Sequence, residues 1–135
     1  DGIIEVWGDG SQTRSFLFID DCLDMVLSLT RGDWTGPVNI GSEEMISINN
    51  LAKMVIDLSG KDIKIKNIEG PEGVRGRNSD QTLFREKVDD YQPSTLLEGM
   101  TKTYEWIDSQ VNKISLSDYA NTAQLDMMDR LGRGE

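Results

Sequence analysis

Val6-Trp7-Gly8-Asp9-Gly10-Ser11-Gln12-Thr13-Arg14-Ser15-Phe16-Leu17-Phe18-Ile19-Asp20-Asp21 is the stretch on which the reading of this chain turns. Ile3-Ile4-Glu5-Val6-Trp7 reads as a strand, and Gly8-Asp9-Gly10-Ser11 is dense turn chemistry. Arg14-Ser15-Phe16-Leu17-Phe18-Ile19 reads as a second strand, so the pair predicts a β-hairpin with a longer loop. Asp20 and Asp21 then stand at a helix start, where carboxylates accept orphan N–H groups and meet the positive dipole end. Leu23, Val26, Leu27 and Leu29 supply the apolar set of a helix over 21–30, with Gly32 at its C-cap.

Working outward, Pro37-Val38-Asn39-Ile40-Gly41 reads as a short strand bounded by breakers. Ser47 is an N-cap, and Ile48, Leu51, Ala52, Val55, Ile56 and Leu58 form an amphipathic helix closed by Ser59-Gly60. Ile63-Lys64-Ile65-Lys66 alternates with period two, a strand with one buried face. Strand, helix and strand at this spacing predict a βαβ unit and an α/β fold. A Gly-rich loop over 69–80 leads to a short helix over 81–88. Beyond Pro93, Thr95 and Glu98 have capping-box spacing. Leu97, Met100, Tyr104, Ile107 and Val111 then line one face of a long helix, and Leu116, Tyr119, Ala120, Ala123, Met127 and Leu131 continue a helical pattern.

Composition narrows the function. The chain has 135 residues, one domain's worth, with 24 acidic and 14 basic residues for a formal net of −10. So acidic a domain is poorly suited to duplex DNA or an anionic membrane, so neither nucleic acid nor membrane is expected as a partner. There is no His, which removes His-dependent triads and His-ligated zinc. The single Cys22 excludes an intrachain disulfide and fits a reducing, cytoplasmic setting. No apolar run is long enough to span a bilayer, and the first residues lack the features of a secretion signal. With no initiating Met and a strand almost at once, the chain reads as a piece of something longer.

The basic residues are uneven. Segment 61–87 holds seven basic against five acidic residues, whereas the remainder holds seven against nineteen. Arg75 and Arg77 sit in the Gly-rich loop, where backbone can approach a ligand closely, and a guanidinium fork matches phosphate oxygens. Charge alone leaves two readings open: a locally held phosphate, or solvated arginines paired with Glu69 and Glu72. Arg14, beside an apolar strand, needs a partner, either Asp20 or Asp21 or a phosphate. Trp7 is either core or a flat platform for a ring.

The stretch 6–21, with Val38-Asn39-Ile40-Gly41-Ser42, resembles the extended short-chain dehydrogenase/reductase superfamily of NAD-dependent nucleotide-sugar epimerases and dehydratases. Gly70-Pro71-Glu72-Gly73-Val74-Arg75-Gly76-Arg77-Asn78-Ser79-Asp80 resembles the GDP-mannose 3,5-epimerases within it. The likeness runs over about 3–112. It implies a substrate-binding part in which Glu5, Val6 and Trp7 pack on the nucleotide base. Arg14 and Arg77 contact the diphosphate, with Arg75, Asn78, Ser79 and Asp80 beside them.

The departures matter equally. The dinucleotide fingerprint of the superfamily is absent, so there is no complete Rossmann domain. Its catalytic Tyr-x-x-x-Lys is absent too, since Tyr91, Tyr104 and Tyr119 are followed four residues later by Thr95, Asp108 and Ala123. NAD is therefore implied for the full-length family and not for this chain, no metal is expected, and no catalytic residue is named. Val88-Asp89-Asp90-Tyr91 stands where relatives carry Leu-Gly-Trp, which puts the packing before Pro93 in question. The expected layout is a substrate-binding domain over 1–114 and a helical tail over 115–135. Two functions follow: the nucleotide-sugar binding part of such an epimerase, or a stand-alone, non-catalytic module that binds or homodimerises through exposed apolar surface or the tail.

Overall fold

The computed structural model describes the backbone of residues 2–71 and 73–131, and side chains as far as Lys113. Two compact units divide it, Asp1–Thr101 and Lys102–Glu135. In the first, the alternation of isoleucine with lysine forms the expected strand, β4 (Ile63–Ile68), with its isoleucines half-buried. Its partner is β1 (Gly2–Trp7), in parallel register from Gly2 opposite Ile63 to Trp7 opposite Ile68. The helix α2 (Ile48–Ser59) packs on both strands. Its ends follow the sequence reading. Ser47 Oγ accepts the Asn50 N–H at 3.2 Å, and Gly60 closes it with φ of 62°, a conformation that favours glycine.

The α/β class holds, but the connections differ from expectation in two places. The predicted hairpin does not form. β2 (Thr13–Ser15) is shorter than expected and lies in a second sheet, between β3 (Met45–Ser47), antiparallel, and β5 (Gly76–Arg77), parallel. The turn after β1 explains this. Gly8 and Gly10 both adopt positive φ, and the turn is tied elsewhere. The Gly8 N–H donates to Ile68 O at 2.9 Å, the Asn49 N–H to Gly10 O at 3.0 Å, and the Ile48 N–H to Gln12 O at 3.1 Å. A Cβ at Gly10 would overlap the Asn49 amide. The chain is thus steered toward α2 and away from β1.

The predicted βαβ unit is also rearranged. Residues 37–41 are not a strand among the described residues. Their polar groups meet side chains and loops instead, with Asn39 Nδ2 donating to Asp80 O at 3.5 Å. The strand before α2 is β3, and the parallel partner of β4 is β1, so the parallel pair encloses two helices and two strands rather than one helix.

The helix α1 (Ile19–Arg31) begins two residues early, with Phe18 at its N-cap and no side-chain cap. Asp20 and Asp21 therefore do not cap it. Asp21 is buried instead, and its carboxylate accepts the Ser94 N–H at 3.1 Å, the Ser94 hydroxyl at 3.3 Å and the Tyr91 hydroxyl at 3.2 Å. A buried charge needs such bonds. Met25, one turn on, is the most deeply buried large side chain. Of the expected apolar set, Leu23, Val26 and Leu27 face outward, at 53%, 39% and 46% exposure, and Leu29 is half-buried.

Downstream, α3 (Thr82–Lys87) places Phe84 in the core, edge-on to Tyr91 at 5.6 Å. Asp90, at φ of 56°, holds the left-handed conformation that favours glycine. The helix α4 (Leu96–Leu131) opens with the predicted capping box. The Thr95 N–H donates to Glu98 Oε2 at 2.8 Å, and the Glu98 N–H to Thr95 Oγ1 at 3.3 Å. Its predicted apolar face is buried only in part, with Met100 and Tyr104 half-buried. Leu96 is buried while Leu97 is 53% exposed, because Gly99 seats against Phe18, where a Cβ would come within 2.9 Å. In the second unit, Ile107 and Val111 are exposed. The stripe from Leu116 to Leu131 lies outside the described side chains.

Two outcomes test this account. Asp21→Ala leaves the Ser94 N–H without its acceptor and the Tyr91 hydroxyl with the Asp21 backbone oxygen alone, and is expected to cost about 2–3 kcal/mol in urea unfolding. Burial first, and the Asp21 charge second, push the Tyr91 hydroxyl from 10.0 up to about 12. A raised pKa means that this stabilisation is full below pH 10 and is lost as pH rises toward 12. Urea titrations across that window should show the decline in the wild type and a flatter profile in Tyr91→Phe.

Candidate functional site

The two sheets meet the ligand question at Trp7 and Arg14. Val6 is buried and Trp7, at the end of β1, is 55% exposed. Alternation along β1 sends the two to opposite faces. Gly70 lies against the indole, where a Cβ would come within 2.6 Å of Trp7 Cγ. Glu5, also exposed, pairs with Lys66 at 3.7 Å across the parallel register. An open cleft of about 420 Å³ runs along this strand, walled by Val6, Trp7, Gln12, Leu51, Val55 and Pro71. All three residues assigned to the base side, Glu5, Val6 and Trp7, line it.

Gln12 also lines this cleft, and no residue pattern pointed to it. Its Nε2 donates to Trp7 O at 3.1 Å, which leaves Oε1 buried with no protein partner. A buried amide oxygen without a donor is uncommon and marks a place where a ligand donor could be received. Only tertiary structure could reveal this, because a turn glutamine is ordinarily a solvated residue.

The arginines converge through the second sheet. Arg14 and Arg77 are Cα partners in the β2–β5 ladder, so their side chains leave on the same face of strands about 4.8 Å apart. Arg14 is part-buried, its Nη1 donating to Thr13 O at 2.7 Å, and Arg77 is exposed. Arg75 precedes β5 and is held there by the Thr13 N–H, which donates to Arg75 O at 2.8 Å. Three cations thus surround one three-residue strand. Two ion pairs occur among the described residues, Glu5–Lys66 and Glu43–Arg85, and neither uses these arginines. Pairing of Arg14 with Asp20 or Asp21, and of Arg75 or Arg77 with Glu69, is therefore not realised; Glu72 lies outside the described residues. Asp9 is the acid nearest in effect. Bonds from Ser11 hold its carboxyl below the ordinary range, and the Arg75 charge pulls in the same direction.

The remaining predicted residues follow β5. Asn78 Oδ1 accepts the Ser79 N–H at 2.8 Å, and Asp80 Oδ1 accepts the Thr82 N–H at 2.9 Å, which ties the element to the start of α3. Asn78 and Asp80 are exposed and Ser79 is half-buried. The arrangement is a set of unpaired planar cations beside an apolar, aromatic-walled cleft. Chemically it suits an anion joined to a flat ring. No group of His, Cys, Asp and Glu suited to a metal ion occurs among the described residues.

Comparison with known proteins gives the family. No family model matches the chain. GDP-mannose 3,5-epimerase of Arabidopsis thaliana is 53% identical over 109 residues, which are 81% of this chain and 29% of that protein. GDP-mannose 3,5-epimerase 1 of Oryza sativa subsp. japonica is 50% identical over the same share. Among solved structures, UDP-glucose 4-epimerase of Thermotoga maritima with UDP-glucose superimposes with a TM-score of 0.73 and 25% identity, over 80% of this chain and 35% of that one. The chain therefore spans about 29% of the length of these curated relatives. Identity at this level, on a fold superimposable on a solved epimerase, means that the chain belongs to the extended short-chain dehydrogenase/reductase family and carries part of that fold.

Proposed function

We propose that this chain is the nucleotide-sugar binding portion of an NAD-dependent epimerase, holding a GDP-mannose-like ligand. The observation that carries this reading is the register of Arg14 with Arg77, two unpaired guanidiniums on one sheet face. Paired forks of this kind suit a diphosphate. Glu5, Val6, Trp7 and the unpartnered Gln12 oxygen supply a cleft for the base, and Arg75, Asn78, Ser79 and Asp80 complete the anion side. In this reading the binding part covers 1–114 and a tail over 115–135 follows it, helical as far as Leu131, with 132–135 outside the described residues.

The residues of this chain do not fit NAD. β1 leads through residues 8–11 into β2 rather than into a helix, and β3 passes into α2 with no glycine between. No hydride step is therefore assigned to it. The lone, half-buried Cys22 favours a reducing, cytoplasmic setting; no described helix is long and apolar enough to cross a membrane.

A second reading, a self-associating or binding module without chemistry of its own, is favoured by the exposed stripe of Ile19, Leu23, Val26 and Leu27 on α1. Sedimentation of the chain with and without 115–135 checks it; a monomer in both cases counts against it. For the first reading, calorimetric titration with GDP-mannose is expected to show binding by the wild type. In Arg14→Ala/Arg77→Ala the expected loss is about 3 kcal/mol, on the order of a hundredfold in Kd. Unchanged affinity in the double variant would remove the site assignment.

A further inference from the structure

Resting on the nucleotide-sugar reading, we propose that Glu43 is a positioning residue for Arg77, holding the 77–80 element from the side away from the ligand. β5 has two residues, so its ladder alone fixes Arg77 weakly. The element must be held again at its far end, and that end is Gln81, where α3 begins. Glu43 Oε1 accepts the Gln81 N–H at 3.1 Å. Both Glu43 oxygens also take the Arg85 fork, at 2.7 and 3.0 Å. One carboxylate therefore spans the start of α3 and the residue one turn later.

The surroundings turn this contact into a seat. Gln81 is 5% exposed. Its amide donates to Asn39 O at 3.1 Å and accepts from the Ser79 hydroxyl at 2.6 Å and the Gly41 N–H at 3.2 Å. Gly41 is required for this approach, since a Cβ there would come within 2.7 Å of Ser79. Segment 39–43 thus grips residues 79–81 through backbone and side chain together, and Arg77 lies two residues before the grip. Glu43 lines a separate cavity of about 310 Å³ with Met25, Phe84 and Tyr91, and it is not among the residues that wall the Trp7 cleft. Its bonds to Arg85 and then to Gln81 hold its carboxyl below the ordinary range, so it stays charged. Its ion pair is largely solvated, which makes a large effect on global stability unexpected. Any effect on binding must pass through geometry.

The experiment is a double-mutant cycle on the full chain, titrated with GDP-mannose and unfolded in urea in parallel. Glu43→Ala is expected to weaken binding about tenfold with little change in the urea midpoint. Glu43→Gln, which keeps an acceptor for the Gln81 N–H, recovers part of that. In the Arg77→Ala background, Glu43→Ala costs nothing more. Equal losses in both backgrounds, or wild-type affinity in Glu43→Ala, would overturn the proposal while leaving the binding reading in place. Backbone NMR order parameters of 77–80 in the ligand-free chain provide a readout independent of binding. They should fall in Glu43→Ala, and unchanged values would overturn the proposal whether or not GDP-mannose binds. Values that fall in Glu43→Ala, together with a wild type that does not bind GDP-mannose, would support the positioning and remove the nucleotide-sugar reading.

Discussion

β2, three residues long, has to satisfy backbone donors and acceptors on both of its edges, and much of the candidate site follows from how it does so. A strand in the middle of a sheet cannot leave those groups bare. The turn after β1 is tied to β4 and α2, which steers β2 away from β1, and it takes β3 on one side and β5 on the other. The β5 pairing brings the Gly-rich loop back to a strand that lies far before it in sequence and sets Arg77 beside Arg14. The two cations meet because a backbone ladder requires it, and not because opposite charges draw them together.

A second constraint acts on the other side of the unit. Asp21 is a buried carboxylate that forms no ion pair among the described residues, and it is stabilised by Ser94 and Tyr91. These bonds tie the start of α1 to the segment before α4, and Tyr91 in turn abuts Phe84. Glu44 adds a third tie, with its Oε2 accepting the Leu96 N–H at 2.8 Å. Long-range polar bonds of this kind do here what a larger apolar core would do. Few large side chains among the described residues are fully buried, and α1 turns Leu23 and Leu27 outward.

Much of this was legible in the residues. The alternation of Ile63-Lys64-Ile65-Lys66, the Ser47 cap, the Gly60 stop and the Thr95–Glu98 box each depend on near neighbours, and each appeared where its spacing placed it. The arginine-bearing loop stood out against an acidic chain, and its motif pointed to the family that the relatives show. Three readings failed for one reason. The hairpin, the strand at 37–41 and the capping role of Asp21 all assumed that a segment pairs with its neighbour in sequence. Residues 37–41 and Asp21 instead meet groups about forty and seventy positions away. The face of α4 was misread by one residue, because Gly99 lets the helix close on Phe18 and turns Leu96 inward.

The sequence by itself determined the α/β class, the caps of α2 and α4 and the concentration of arginines, because each is written in residue type and short spacing. Only the tertiary structure decided that β1 and β2 belong to different sheets and that Arg14 and Arg77 share a register. It also decided that Gln12 keeps an unpartnered oxygen in the Trp7 cleft, and that Glu43 grips the arginine element from behind. The physical reason is the same throughout. Backbone and buried polar groups must be paired, and in this chain many of the partners lie far away in sequence, where no local pattern can name them.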